Sequence, residues 1–139
     1  MPSAYPRQDD LVDANDLSTH PVHLGSGGKA VPQPPFTGAE WYESYAARVT
    51  ADGPDGRLVS VYDFSEDWEM HPAGDELVVC LEGEITLIQE RLDGSFHAET
   101  LRPYQYAVNA AGVWHTANVS GSARALFITS GLGTEHRSR

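Results

Sequence analysis

Residues 68–83 read WEMHPAGDELVVCLEG, and residues 109–119 read NAAGVWHTANV. The first stretch holds two extended runs, 68–71 and 76–81, separated by the turn residues Ala73-Gly74-Asp75. Side chains alternate across a strand, so Glu69 and His71 share one face of the first run. Pro72–Asp75 reverses the chain, and Glu76 opens the returning strand close to His71. His115 follows the Ala111-Gly112 turn and reaches the same point from a neighbouring strand. Two imidazoles and one or two carboxylates then surround one position, a donor set suited to a divalent transition metal.

Outward from these stretches, short runs rich in β-branched and aromatic residues recur at 58–64, 84–92, 95–101, 106–108 and 123–130, and the second quoted stretch carries another at 114–119. Turn residues break them at Glu82-Gly83, Asp93-Gly94, Ala111-Gly112 and Gly121-Ser122. Asp93-Gly94 is the strongest hairpin signal, because both residues accept positive φ. About eight strands at this even spacing predict an all-β antiparallel barrel or jelly roll. One amphipathic helix is expected at about 38–51. Thr37 and Glu40 have capping-box spacing, Trp41, Tyr42, Tyr45, Ala46 and Val49 mark one face, and Asp52-Gly53-Pro54 stops it. Residues 1–36 read as an irregular arm, with Pro21–Leu24 as a possible edge strand, and 37–139 as one domain.

Composition narrows the partners. The balance of 9 Lys+Arg against 20 Asp+Glu gives a net charge of −11, a field that repels phosphate backbones and anionic lipid. Nucleic acid and membrane surfaces are therefore not expected. No apolar stretch approaches the roughly 20 residues of a membrane helix, and no basic start leads into an apolar run. A soluble, cytoplasmic protein is expected. Cys80 is the only cysteine, which excludes an intrachain disulfide; alternation turns it inward with Glu76 and Val78 as a small core residue.

The two quoted stretches resemble the two motifs of the cupin family. The first family motif runs G-x5-H-x-H-x(3,4)-E-x6-G. His71 matches its second histidine, Glu76 its glutamate and Gly83 its closing glycine. The second motif runs G-x5-P-x-G-x2-H-x3-N, where Gly112 and His115 match. Asp63 and Tyr104 stand at the two leading glycines, Ala110 at the proline, and Val119 at the asparagine, with Asn118 one place early. Glu69 stands where the first metal-binding histidine would be.

The resemblance implies a double-stranded β-helix, a homodimer, and a divalent metal (Fe, Mn, Ni or Zn) held by His71, Glu76 and His115. Glu69 is then a fourth ligand, a catalytic general base beside the metal, or a change that empties the site. The function expected first is a metalloenzyme acting on a small polar metabolite, a sugar derivative or an organic or keto acid, by isomerase, lyase or dioxygenase chemistry. Non-enzymatic binding or sensing of a small molecule in the same pocket is the alternative. An inert barrel would show a pocket filled with side chains.

The remaining polar residues have structural readings. Asp75 is expected to serve the turn, and His20, His23 and His97 to be surface or strand residues. His136 is expected to be exposed or to fold over the pocket mouth with its tail. Trp68, Met70, Trp114 and Thr116 fall on the face opposite the ligands, to be covered by the helix or a second subunit. Residues 25–29 lack the spacing of a phosphate loop, no serine sits on a nucleophile elbow, and no Cys-x-x-Cys pair exists.

Overall fold

A computed structural model describes residues 13–62 and 67–139. The strands are β1 (Val22–Gly25), β2 (Lys29–Pro32), β3 (Arg57–Tyr62), β4 (Trp68–Met70), β5 (Glu76–Glu82), β6 (Ile85–Glu90), β7 (Phe96–Leu101), β8 (Tyr106–Asn109), β9 (His115–Val119), β10 (Arg124–Thr129) and β11 (Glu135–Arg137). They pair in two antiparallel sheets, β2-β1-β3-β10-β5-β8 and β11-β4-β9-β6-β7. The expected jelly-roll arrangement is present, as two facing sheets rather than a hydrogen-bonded closed barrel. The expected strands all appear, within a residue or two at their ends. Asp63 and Phe64 lie outside the described residues, as do residues 1–12 of the arm.

Alternation along β5 shows why the sheets stack. Glu76, Val78 and Cys80 are buried, whereas Leu77, Val79 and Leu81 are only partly so. Val78, Cys80, Ile85, Leu87, Leu101, Ala117, Ala123 and Ala125 make the core between the sheets. Cys80 is fully buried there, which pushes its thiol pKa up and fits the expected core role. Gly83 has φ 77°, and a Cβ on it would lie 2.5 Å from the Ser122 carbonyl oxygen, so the β5–β6 turn admits only glycine. Tyr104, at the leading glycine of the second motif, also adopts a left-handed φ of 70°. The turn thus keeps the glycine conformation without the glycine, at a cost of about 1–2 kcal/mol.

The N-terminal region differs from expectation. The strand expected at 21–24 is present as β1, but it lies inside the sheet: residues 22–32 form a hairpin whose inner strand β1 pairs with β3, where an irregular arm was expected. The helix is shorter than predicted: α1 spans Glu40–Arg48 and passes into a 3-10 segment, Thr50–Asp55, that kinks at Gly53 (φ 52°). The capping box does not form. Ala39 is the N-cap with no side-chain hydrogen bond, because Glu40 is the first helical residue rather than the third turn position.

His23 ties these pieces together. It is a strand residue, as expected, and it is buried. Its Nε2 lies 2.6 Å from the Asp52 carboxylate and its Nδ1 lies 2.7 Å from the Tyr45 hydroxyl. A carboxylate can only accept, so Nε2 carries the proton and Nδ1 accepts from Tyr45. Burial, then the Asp52 charge, pushes the Tyr45 phenol up to about 12. The His23 and Ser26 hydrogen bonds hold the Asp52 carboxyl below its ordinary value against a smaller effect of burial. Stability from a depressed carboxyl is complete above the unfolded carboxylate pKa and disappears as pH falls through the folded one. Thermal melts between pH 7 and pH 3 should therefore show a steeper acid loss for the wild type than for Asp52→Asn.

Candidate metal centre

Two cross-strand rows face each other between the sheets. In the five-stranded sheet the register places His136 beside Glu69, Glu69 beside His115, and His115 beside Gln89. In the six-stranded sheet Glu76 is beside Asn109, and the Thr129 hydroxyl of β10 donates to Glu76 Oε2 at 2.7 Å. Residues directly opposite on paired strands point the same way, so each row presents its side chains together. The backbone also joins the two motif turns. Gly112 N–H donates to the His71 carbonyl, and Ala111 N–H donates to Asp75 Oδ1 at 2.9 Å, giving Asp75 its expected turn role.

The four residues singled out by the sequence converge. Glu69, His71 and His115 each offer a donor atom, and these atoms lie within 4.8 Å of one another. Glu76 lies against them, with its oxygens 3.1 Å from His71 Nε2 and 3.3 Å from His115 Nε2. Glu69 Oε2 is 3.5 Å from His71 Nε2. The side chains of His71, Glu76 and His115 are at most 9% exposed, whereas that of Glu69 is 30% exposed and meets the cavity.

Tautomers can be read from the outer hydrogen bonds. The Thr134 hydroxyl donates its single proton to the Gly131 carbonyl at 3.0 Å and lies 2.8 Å from His71 Nδ1. With that proton on the carbonyl it accepts from Nδ1–H, the tautomer that leaves a lone pair on His71 Nε2. That nitrogen is buried and has no hydrogen-bond partner among the described residues, since its short approach to Glu76 is not directed as a hydrogen bond. At His115 the Val113 carbonyl, 3.3 Å from Nδ1, can only accept, so Nε2 again faces the carboxylate. Both Nε2 atoms face a buried carboxylate, so positive charge belongs between them, carried by a proton or by a metal ion. The donor set and the orphaned Nε2 fit a divalent metal.

Electrostatics agrees. Burial works to raise the Glu76 pKa, but the adjacent imidazoles of His115 and His71 outweigh it and hold the carboxyl well below the usual carboxylate range. Burial likewise opposes the charged form of His115, while Glu76 and the Val113 carbonyl hold its pKa above the ordinary histidine value. Asn109 Nδ2 donates to Glu76 Oε1 at 3.1 Å and is itself held by Gln89 at 2.8 Å.

Thr134, Thr129, Asn109 and Gln89 were not singled out from sequence. Asn109 and Thr129 have an alternation signal, since each sits inward on a strand beside Glu76. Thr134 has none, because it is 63 residues from His71 and meets it only when the C-terminal segment folds back. That segment supplies β11, and His136, exposed as expected, also lines the cavity. Trp68 and Trp114 are covered by Arg137, whose guanidinium lies 5.1 Å and 4.6 Å from their rings, and not by α1. Thr116 is buried with its hydroxyl on the Asp67 carbonyl. His97 sits half-exposed beside Glu99, and His20 bonds Thr19; neither approaches the centre.

No protein-family model matches the chain, and no curated protein matches it. Among solved structures, the chain is similar to a cupin-2 domain containing protein from Shewanella frigidimarina, at 17% identity and a TM-score of 0.45, over 52% of this chain and 69% of that one. Hydroquinone 1,2-dioxygenase from Sphingomonas sp. gives 16% identity and a TM-score of 0.43, over 53% and 59%. Oxalate decarboxylase gives 11% and 0.49, over 67% of this chain and 26% of its own length. The chain thus spans under two thirds of both enzymes, and neither assigns it a reaction. What the chain itself shows is two facing antiparallel sheets with this residue set on their inner faces.

Two outcomes follow for metal uptake. Thr134→Val removes the acceptor on His71 Nδ1 and should weaken metal affinity by about 10- to 100-fold, measured by competition with a chromophoric chelator. Metal binding to wild type displaces the proton that Glu76 stabilises on His115. Calorimetry in buffers of different ionisation enthalpy should therefore show proton release, with affinity rising as pH increases through the raised His115 pKa.

Proposed function

We propose that His71, Glu76 and His115 hold a divalent transition metal with Glu69 beside it, and that the protein uses it to bind and transform a small molecule carrying an oxygen donor. The observation that carries this reading is the buried His71 Nε2, which faces a carboxylate and has no hydrogen-bond partner among the described residues. Two carboxylates and two imidazoles around one ion make a hard site that favours Mn(II) or Fe(II) over metals that prefer sulfur. When bound, the metal would supply Lewis acidity toward a carbonyl or enolate oxygen.

The chain's own residues divide the remaining work. Glu76, buried and held by Thr129 and Asn109, keeps its charge and its orientation. Thr134 and the Val113 carbonyl hold the imidazoles with Nε2 inward. Glu69 is the most exposed of the four and lines the cavity, so it is the group placed to take a proton from a bound molecule and return it. The cavity is not filled by side chains, which argues against an inert barrel.

Metal analysis of purified protein with an anomalous-scattering map tests the centre, and solvent deuterium exchange at carbon next to a carbonyl tests the chemistry. Glu76→Gln should lower metal content to background. Glu69→Gln should retain metal and lose exchange by about 100-fold or more. Stoichiometric metal with no exchange in wild type would support binding without turnover, and absence of metal would remove the reading altogether.

A further inference from the structure

The cavity that contains the centre has a volume of about 1060 Å³ and extends from the two rows of polar side chains to the 3-10 segment and helix α1. Its walls change character with distance from the metal ligands. The next inward side chains on the facing sheets are Val78 on β5 and Leu87 and Ala117 on β6 and β9, with Phe127 on β10. Helix α1 adds Tyr42, Tyr45 and Ala46. These are residues of the apolar face that the helical periodicity marks for burial, yet Trp41 is the only buried residue of α1.

Two hydroxyls on that wall, those of Tyr45 and Thr50, are already used. Tyr45 donates to His23 Nδ1 at 2.7 Å, and Thr50 donates to the Ala46 carbonyl at 2.8 Å. A sugar or short hydroxy acid lying along α1 would exchange water for a surface that offers it little. Charge restricts the other end of the ligand. Glu69 and Glu76 cancel a divalent ion, and the chain carries a net charge of −11, so a polyanion meets a repulsive field.

We propose that the molecule bound here is amphipathic: an oxygen-chelating head bearing at most one negative charge, joined to an apolar body that packs on Tyr42, Tyr45, Ala46 and Phe127. This rests on the metal-centre reading for the head and on the cavity wall for the body. It narrows the expectation of a small polar metabolite. Helix α1, fixed to β1 through the Tyr45–His23–Asp52 bonds, is the selecting wall. The cavity volume suits a drug-sized molecule and exceeds what a three-carbon acid would fill.

The test uses full-length protein loaded with Co(II), whose visible spectrum reports coordination of a head group. Straight-chain 2-oxo acids from pyruvate to 2-oxooctanoate serve as probes. Each added methylene should lower Kd by about threefold to fourfold until the cavity is filled. Ala46→Trp should abolish that dependence while leaving cobalt content unchanged. A flat Kd across the series in cobalt-loaded wild type would overturn the proposal. The body is measured separately in metal-free protein, by displacement of a fluorescent fatty acid with straight-chain carboxylates from acetate to octanoate. Displacement that strengthens with chain length supports the apolar wall even if cobalt fails to bind, which would remove only the metal centre and the head. Displacement independent of chain length would overturn the apolar wall.

Discussion

A buried carboxylate sits at the junction of the two sheets. Glu76 is buried, and an ionised group in that position costs several kcal/mol unless it is paired and hydrogen-bonded. Its partners come from both sheets: Thr129 and Asn109 from its own, His115 from the facing one, and His71 from the turn beyond β4. Apart from His71, five residues away, none of these contacts is local in sequence. The pairing of β5 with β8 and β10, and the stacking of β9 over β5, must all be correct before the charge is compensated. The same requirement that makes Glu76 expensive therefore makes the arrangement specific, as buried polar networks do when every member is satisfied.

Around that carboxylate the protein separates tasks by depth. The buried groups hold geometry, with Thr134 and the Val113 carbonyl setting the imidazole tautomers and Gln89 steadying Asn109. The partly exposed group, Glu69, meets the cavity. Replacing a histidine by a carboxylate at this one position lowers the net charge of a loaded centre and leaves a proton acceptor at its edge. A site with three imidazoles and one carboxylate would have neither property.

Much of this was legible from the chain because it depends on alternation and turn chemistry, which are local. The strand positions around the two motifs, the inward side of Cys80 and the convergence of Glu69, His71, Glu76 and His115 all follow from period two and from where glycine stands. What escaped depends on pairing over long separations. Glu135-His136-Arg137 has no apolar alternation to mark it as a strand, and it becomes one only because β4 offers an open edge. The β1–β2 hairpin likewise exists because β3 has an unpaired side. Helix α1 showed its apolar stripe, but a stripe does not say whether it will meet a core or a cavity. Thr37 and Glu40 had the spacing of a capping box without the phase, since Gly38 (φ 129°) delays the helix start.

Arg137 lies over the rings of both Trp68 and Trp114 and bonds Glu90, fastening β11 across the outer face of the sheet. Those two tryptophans immediately precede Glu69 and His115 in the chain. Because neighbouring residues on a strand point to opposite faces, each indole is the reverse side of a donor on the inner face. The protein thus contains an optical gauge of its own centre. Displacement of the C-terminal strand removes a cation from two indoles and uncouples His71 from Thr134 in the same motion, so indole emission and the state of the inner face change together.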